Sequence, residues 1–157
     1  MKKFCSALVL ATLGVTGIAQ AESHASAEDL TKAVKARQAT MQLYAFNLGI
    51  LGNMAKGSMD YNADAASAAA GNLVKLSSQN QMAYWPKGSE QGSVEGSRAL
   101  PAIWEDMEGI GKAAGDLTQA AMAMEAAAGT DLASLQGAMG GLGGACGACH
   151  KSYRASN

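Results

Sequence analysis

The strongest constraint on the fold is a run of apolar residues near the carboxyl end of the chain. They recur at steps of three and four, the spacing of one face of an α-helix. Five glycines lie within residues 140–147 of this run, and each helix-interior glycine costs about 1 kcal/mol relative to alanine. The segment therefore predicts a helix in which the missing side chains let another group approach the backbone closely. The apolar residues are Leu132, Leu135, Met139, Leu142, Cys146, Cys149 and Tyr153, and the glycines are Gly140, Gly141, Gly143, Gly144 and Gly147.

A long helix is also predicted near the start of the chain, over residues 27–55. Its apolar stripe contains one charged residue, Arg37. A guanidinium in such a stripe needs an anionic partner, unless it reaches along the helix to water. The stripe consists of Leu30, Val34, Met41, Tyr44, Leu48 and Leu51.

Two more helices complete the pattern. The second is predicted from an N-cap at Asn62 to Ala83, and the third begins at Pro101. Thr130 is the predicted N-cap of the fourth helix, which carries the carboxyl-terminal stripe. A glycine- and serine-rich linker, residues 84–100, is the one long connection. These features predict an all-α fold, an antiparallel up-down four-helix bundle.

Residues 1–21 have the features of a secretory signal peptide. Lys2 and Lys3 precede an apolar run, and Ala19-Gln20-Ala21 fits the cleavage rule, with a cut after Ala25 as the alternative. The bundle then comprises residues 22–157, exported to a periplasm. Without Lys2 and Lys3, the chain has ten basic and thirteen acidic residues, which give a formal charge of −3. This charge excludes a basic surface for binding nucleic acid. No later apolar run is long enough to span a membrane.

The motif Cys146-Gly147-Ala148-Cys149-His150 is a C-x-x-C-H sequence, typical of covalent c-type haem attachment. Two thiols three residues apart can each add to a porphyrin vinyl group, which places the next imidazole under the ring as the iron ligand. A redox dithiol usually follows a strand, and a zinc site needs further ligands where only His24 remains. A structural disulfide does not require the histidine. We therefore expect one covalent haem c, ligated by His150.

At these residues the chain resembles the class II cytochromes c, the group of cytochrome c-prime and low-spin cytochrome c-556. The haem motif lies near the carboxyl end, as in that family, and "AVKARQATM", "KGSEQG" and "PAIWED" are similar to family sequences. The resemblance implies that Arg37 and Gln38 lie near the haem propionates and that Ser89 and Glu90 lie near the haem edge. It places Met41 at the distal position facing the iron.

The expected function is electron transfer to an unidentified redox partner protein. Met41 lies one helical turn from Arg37, so both can reach one haem, and a thioether ligand would give six-coordinate, low-spin iron. The alternative is an unbound Met41 and a five-coordinate haem that binds NO or CO. We expect no enzyme activity, because no distal histidine is available as a general base. Family members commonly form homodimers through the first two helices.

Overall fold

The structure, a computed structural model, describes residues 25–156, which form five helices. These are α1 (Ala27–Ala55), α2 (Ala63–Ser77), α3 (Ala102–Glu105), α4 (Met107–Ala128) and α5 (Leu132–Tyr153). The four long helices form a four-helix bundle in which α1 and α4 each pack against both α2 and α5. The predicted signal peptide and His24 lie outside the described residues. Between residues 25 and 156, no helix has both the length and the apolar character to cross a membrane.

Each of the four long helices begins with a side-chain cap. Ser26 Oγ accepts from the Asp29 amide at 3.2 Å, and Asn62 Oδ1 accepts from the Ala65 amide at 2.8 Å. The bounds predicted for the first helix and the cap at Asn62 are confirmed. The prediction of Thr130 as the last cap was wrong by one residue, because Asp131 fills that position. A carboxylate both accepts the amide bond and complements the helix dipole.

The second helix is shorter than predicted, since it ends at Ser77 instead of Ala83. Ser77 Oγ and Ser78 Oγ both donate to the Val74 carbonyl, at 3.1 and 2.7 Å. Serine side chains that bond to the backbone in this way compete with the helical ladder. The polar residues that follow have no apolar face to bury, and only a short 3₁₀ turn, Met82–Tyr84, comes before the linker.

The third predicted helix is broken at Asp106, whose φ of −125° and ψ of 67° are not helical. Its carboxylate caps α4 by accepting from the Gly109 amide at 2.9 Å and also accepts from the Tyr153 hydroxyl at 2.6 Å. A β-carbon at Gly109 would collide with both side chains. Met107, the first residue of α4 after this break, is 53% exposed.

Two apolar clusters hold the bundle. The larger is built from residues of the four long helices. The smaller cluster joins the linker and α3 to the last turn of α5, and Cys149 packs against it. Its buried members are Ala99, Ile103 and Tyr153. The largest fully buried side chains of the main cluster are Leu51, Met54, Met124, Leu135 and Leu142.

Candidate functional site

The C-x-x-C-H motif occupies the carboxyl-terminal turns of α5. Cys146 and Cys149 are free, half-buried thiols, so the structure contains no disulfide between them. Burial raises the pKa of both thiols, with the neighbouring Cys146 adding to the effect on Cys149. Redox dithiols instead have lowered pKa values, usually at a helix amino terminus. The environment of this pair therefore disfavours the redox alternative.

His150 is half-buried beside the two thiols. Burial lowers the pKa of its imidazole, and the positive charges of Arg154 and Arg98 lower it further. Arg154 Nη1 lies 3.4 Å from His150 Nδ1. Both effects favour the neutral imidazole, which is the form that ligates a metal. Between residues 25 and 156, no group of three or more His, Cys, Asp or Glu side chains forms a metal cluster, so a zinc site finds no support there.

The glycines of α5 leave its backbone bare next to the motif. All five are exposed, and no described atom outside their own helical surroundings lies within 4 Å of the position a β-carbon would take. A flat ring can approach such a backbone closely. These are Gly140, Gly141, Gly143, Gly144 and Gly147.

Tyr44 of α1 lies near Cys146. From the sequence it was identified only as a member of the apolar stripe. Its hydroxyl accepts from Gln81 Nε2 at 3.3 Å, and burial raises its pKa, to which nearby Cys146 contributes. Met41, one turn earlier, is 38% exposed. Its thioether is therefore partly accessible.

Arg37 is buried, which contradicts the alternative of a side chain reaching water. Its Nη1 donates to Ser89 Oγ at 2.7 Å, and its Nη2 donates to Ser97 Oγ at 2.7 Å and to the Ser89 carbonyl. The guanidinium also stacks 4.8 Å from the ring centroid of Trp85. Burial lowers its pKa, and the negative charge of Glu90 opposes that effect. Among residues 25–156, no carboxylate forms a salt bridge with it.

The linker brings the other predicted residues to this side of α1. Gln38 is exposed and its Nε2 donates to the Gly96 carbonyl at 2.9 Å. Glu90 is half-buried, and a hydrogen bond from its own backbone N–H is the main reason that its pKa is lowered. Ser89 is fully buried as an acceptor for Arg37. This role has no signature in the sequence, because buried and solvated serines look alike in a glycine-rich linker.

The donor set fits a covalently held haem. Two free thiols one turn apart precede a neutral imidazole, and the helix that carries them exposes its backbone. The buried guanidinium of Arg37 is an available charge for a propionate, because a desolvated cation gains from an anionic partner.

The comparisons with known proteins agree with this chemistry. The family model described as Cytochrome C' matches residues 32–154. Cytochrome c-554 from Cereibacter sphaeroides is 48% identical over 128 residues, which cover 82% of this chain and 96% of that protein.

Solved structures give the same result. Cytochrome c' from Rhodobacter spheriodes superposes with a TM-score of 0.79 at 36% identity, over 85% of this chain and all of that one (100%). A nitric oxide complex of a mutant cytochrome c prime from Alcaligenes xylosoxidans superposes with a TM-score of 0.69 at 30% identity, covering 85% of this chain and 100% of that one.

Proposed function

Because the chain belongs to the cytochrome c' family, whose members bind haem c covalently, we propose that it is an exported carrier of single electrons with His150 as the proximal iron ligand. It is a haem protein of a family associated with electron transfer or with the binding of ligands such as nitric oxide. Bound haem supplies an iron that gains and loses one electron.

The observation that carries the proposal is the environment of the C-x-x-C-H motif. Cys146 and Cys149, which are both free thiols in the structure, would form the two thioethers. His150 would ligate the iron through its neutral imidazole. Arg154 disfavours protonation of that ring, which would release the metal.

The opposite side of the haem would be contributed by α1. Arg37 and Gln38 would bind the propionates, with Glu90 near the haem edge. Arg37 is supported by its burial without a carboxylate partner in residues 25–156. Met41 would be the sixth ligand, and a thioether raises the reduction potential of haem iron. Its position one helical turn from Arg37 on α1 supports this role, because both side chains can then reach one haem.

Export is proposed on the basis of residues 1–21, and the mature protein would begin at Glu22. The redox partner would be another protein of the same compartment. Two copies would pair through α1 and α2. Exposed apolar side chains on α1 support this pairing, with Leu43 at 51% and Phe46 at 68% exposure.

A second function, capture of NO or CO, has one specific observation in its favour. A Met41 side chain that is 38% exposed has room to lie away from the iron, which would leave a gas-binding position. The nitric oxide complex of the Alcaligenes xylosoxidans relative supports the same chemistry.

Two measurements test the proposal. The mass of the mature protein, made together with cytochrome c maturation machinery, should equal the polypeptide plus one haem, and Cys146→Ala/Cys149→Ala should remove the added mass. The Soret and near-infrared spectra of the oxidised protein should then be low-spin and become high-spin in Met41→Ala. High-spin spectra in both proteins would refute Met41 ligation and favour gas binding.

A further inference from the structure

Ser97 connects α1 to the far side of the linker. Its buried hydroxyl accepts from Arg37 Nη2 at 2.7 Å and from the Ala99 amide at 3.4 Å, and it donates to the Ser89 carbonyl at 2.7 Å. One side chain therefore joins a helix, a loop carbonyl and the residue where the linker meets α5.

Ala99 is in turn paired with the carboxyl-terminal end of α5. It forms an antiparallel bridge with Arg154, flanked by bonds from the Leu100 amide to the Tyr153 carbonyl at 3.0 Å and from the Ala155 amide to the Arg98 carbonyl at 2.9 Å. The Arg154 amide donates to the His150 carbonyl at 3.1 Å. A path of hydrogen bonds and short backbone segments thus runs from Arg37 through Ser97 to the turn that holds His150.

The other end of α1 contacts α5 directly. Gln136 Nε2 donates to the Ala55 carbonyl at 2.8 Å, and within residues 25–156 this is the one hydrogen bond between the two helices. Met139 Cε lies 3.8 Å from the position of a β-carbon on Gly52. Near Arg37 and Met41, hydrogen bonds connect α1 to the linker instead.

We infer that Ser97 is a positioning residue that sets the separation between the Arg37–Met41 turn of α1 and the His150 turn of α5. It acts through Arg37 on one side and Ala99 on the other, and contacts neither Met41 nor His150. The inference rests on the proposed haem site for its consequence, which is whether Met41 reaches the iron. The mechanical connection itself is a property of the protein chain.

Hydrogen exchange of the haem-loaded protein tests the connection. In Ser97→Ala we expect the backbone amides of residues 34–41 and of 150–155 to exchange roughly ten-fold faster, because a bond to a buried charged group is lost at the link between them. The amides near Ala55 and Gln136 should be unchanged. Ser93→Ala is the matched control, since it removes a hydroxyl from the same linker that bonds only to Glu90.

A second variant breaks the path from the other side. Ala155→Pro deletes the amide that donates to the Arg98 carbonyl, and Arg154 already has the extended backbone that a residue before proline requires, with φ −120° and ψ 130°. Residues 34–41 should again exchange faster, although the changed residue makes no contact with α1. Faster exchange confined to residues 84–100 in Ser97→Ala, or no change in α1 in either variant, would overturn the inference.

A spectroscopic measurement completes the test. The high-spin fraction of the oxidised protein should increase in Ser97→Ala and return towards the wild-type value in Ser97→Thr, which keeps the hydroxyl. A wild-type protein that is already high-spin would refute Met41 ligation, and the exchange pattern would still decide the role of Ser97. An unchanged spin state in Ser97→Ala, with a low-spin wild type, would contradict the positioning role.

Discussion

Replacing Arg37 with leucine should destabilise the protein although leucine suits the apolar stripe of α1. The change removes three hydrogen bonds to buried oxygens of Ser89 and Ser97 and the stacking on Trp85. Each buried bond contributes about 1–1.5 kcal/mol, and the cation–π contact contributes about 1 kcal/mol. Burial of leucine returns about 1.5–2 kcal/mol. The expected net loss is about 3 kcal/mol in the free energy of unfolding.

The measurement is urea unfolding followed by far-ultraviolet circular dichroism, on the apoprotein and on the haem-loaded protein. Lys35→Leu is the matched control, because it removes an exposed positive charge from the same helix. We expect the apoprotein of the control to stay within about 0.5 kcal/mol of wild type. If Arg37→Leu also stayed within that range, the bonds to the linker would contribute nothing to stability and the reasoning would be refuted.

Comparison of the two forms separates the linker role from the propionate role. Both roles predict a loss in the haem-loaded protein, whereas only the linker bonds predict a loss in the apoprotein. A propionate that loses its cation should also shift the reduction potential, which cyclic voltammetry measures. An unchanged potential would refute propionate binding by Arg37 and leave the linker role intact.

Three further predictions concern other parts of the molecule. Phe46→Glu should convert a dimer into a monomer in sedimentation experiments, because the 68% exposed ring becomes charged; a wild-type monomer would refute pairing through α1. The hydrogen bond from Tyr153 lowers the pKa of Asp106. This bond therefore stabilises the folded protein above the unfolded pKa of about 4, and the stabilisation is lost as the pH falls through the lower folded pKa. The loss of stability between pH 7 and pH 3, measured by urea unfolding, should therefore be smaller in Tyr153→Phe, and an equal loss would contradict the pair. Gly143→Ala should stabilise the apoprotein by up to about 1 kcal/mol but should not stabilise the haem-loaded form, and Gly137→Ala is the control. Equal gains in unfolding free energy in both forms of Gly143→Ala would argue against close approach of a ring to Gly143.

The bounds of a helix could be predicted where the sequence shows both an apolar stripe and the residues that begin and end the helix. Ser26 caps α1 and the Lys56-Gly57 turn ends it, so both predicted bounds were correct. The carboxyl-terminal stripe placed both cysteines on one helix for the same reason. Spacing alone could not find the break at Asp106, because that residue is held by the Tyr153 hydroxyl, a contact between residues 47 positions apart.

The haem-binding motif could be predicted from the sequence, but the contacts around it could not. C-x-x-C-H is recognised from the order of its residues alone, so Cys146, Cys149 and His150 were identified as candidates. Ser97 has no such signature, since its role comes from a bond to Arg37 across 60 positions of chain. Whether Met41 reaches the haem iron depends on how close the first helix sits to the haem, which a helical stripe does not report.

The long linker has a physical explanation in the composition of α5. The six exposed glycines of α5, Gly137 included, lower the intrinsic stability of that helix by roughly 6 kcal/mol relative to alanine. Leu135 and Leu142 hold its earlier turns in the core, but the turns that follow carry only half-buried cysteines. The last turn is held from outside, by Asp106 on Tyr153 and by the linker bridge to Arg154. A bare helix surface and a firmly placed His150 are therefore compatible because the linker supplies contacts that the helix itself lacks.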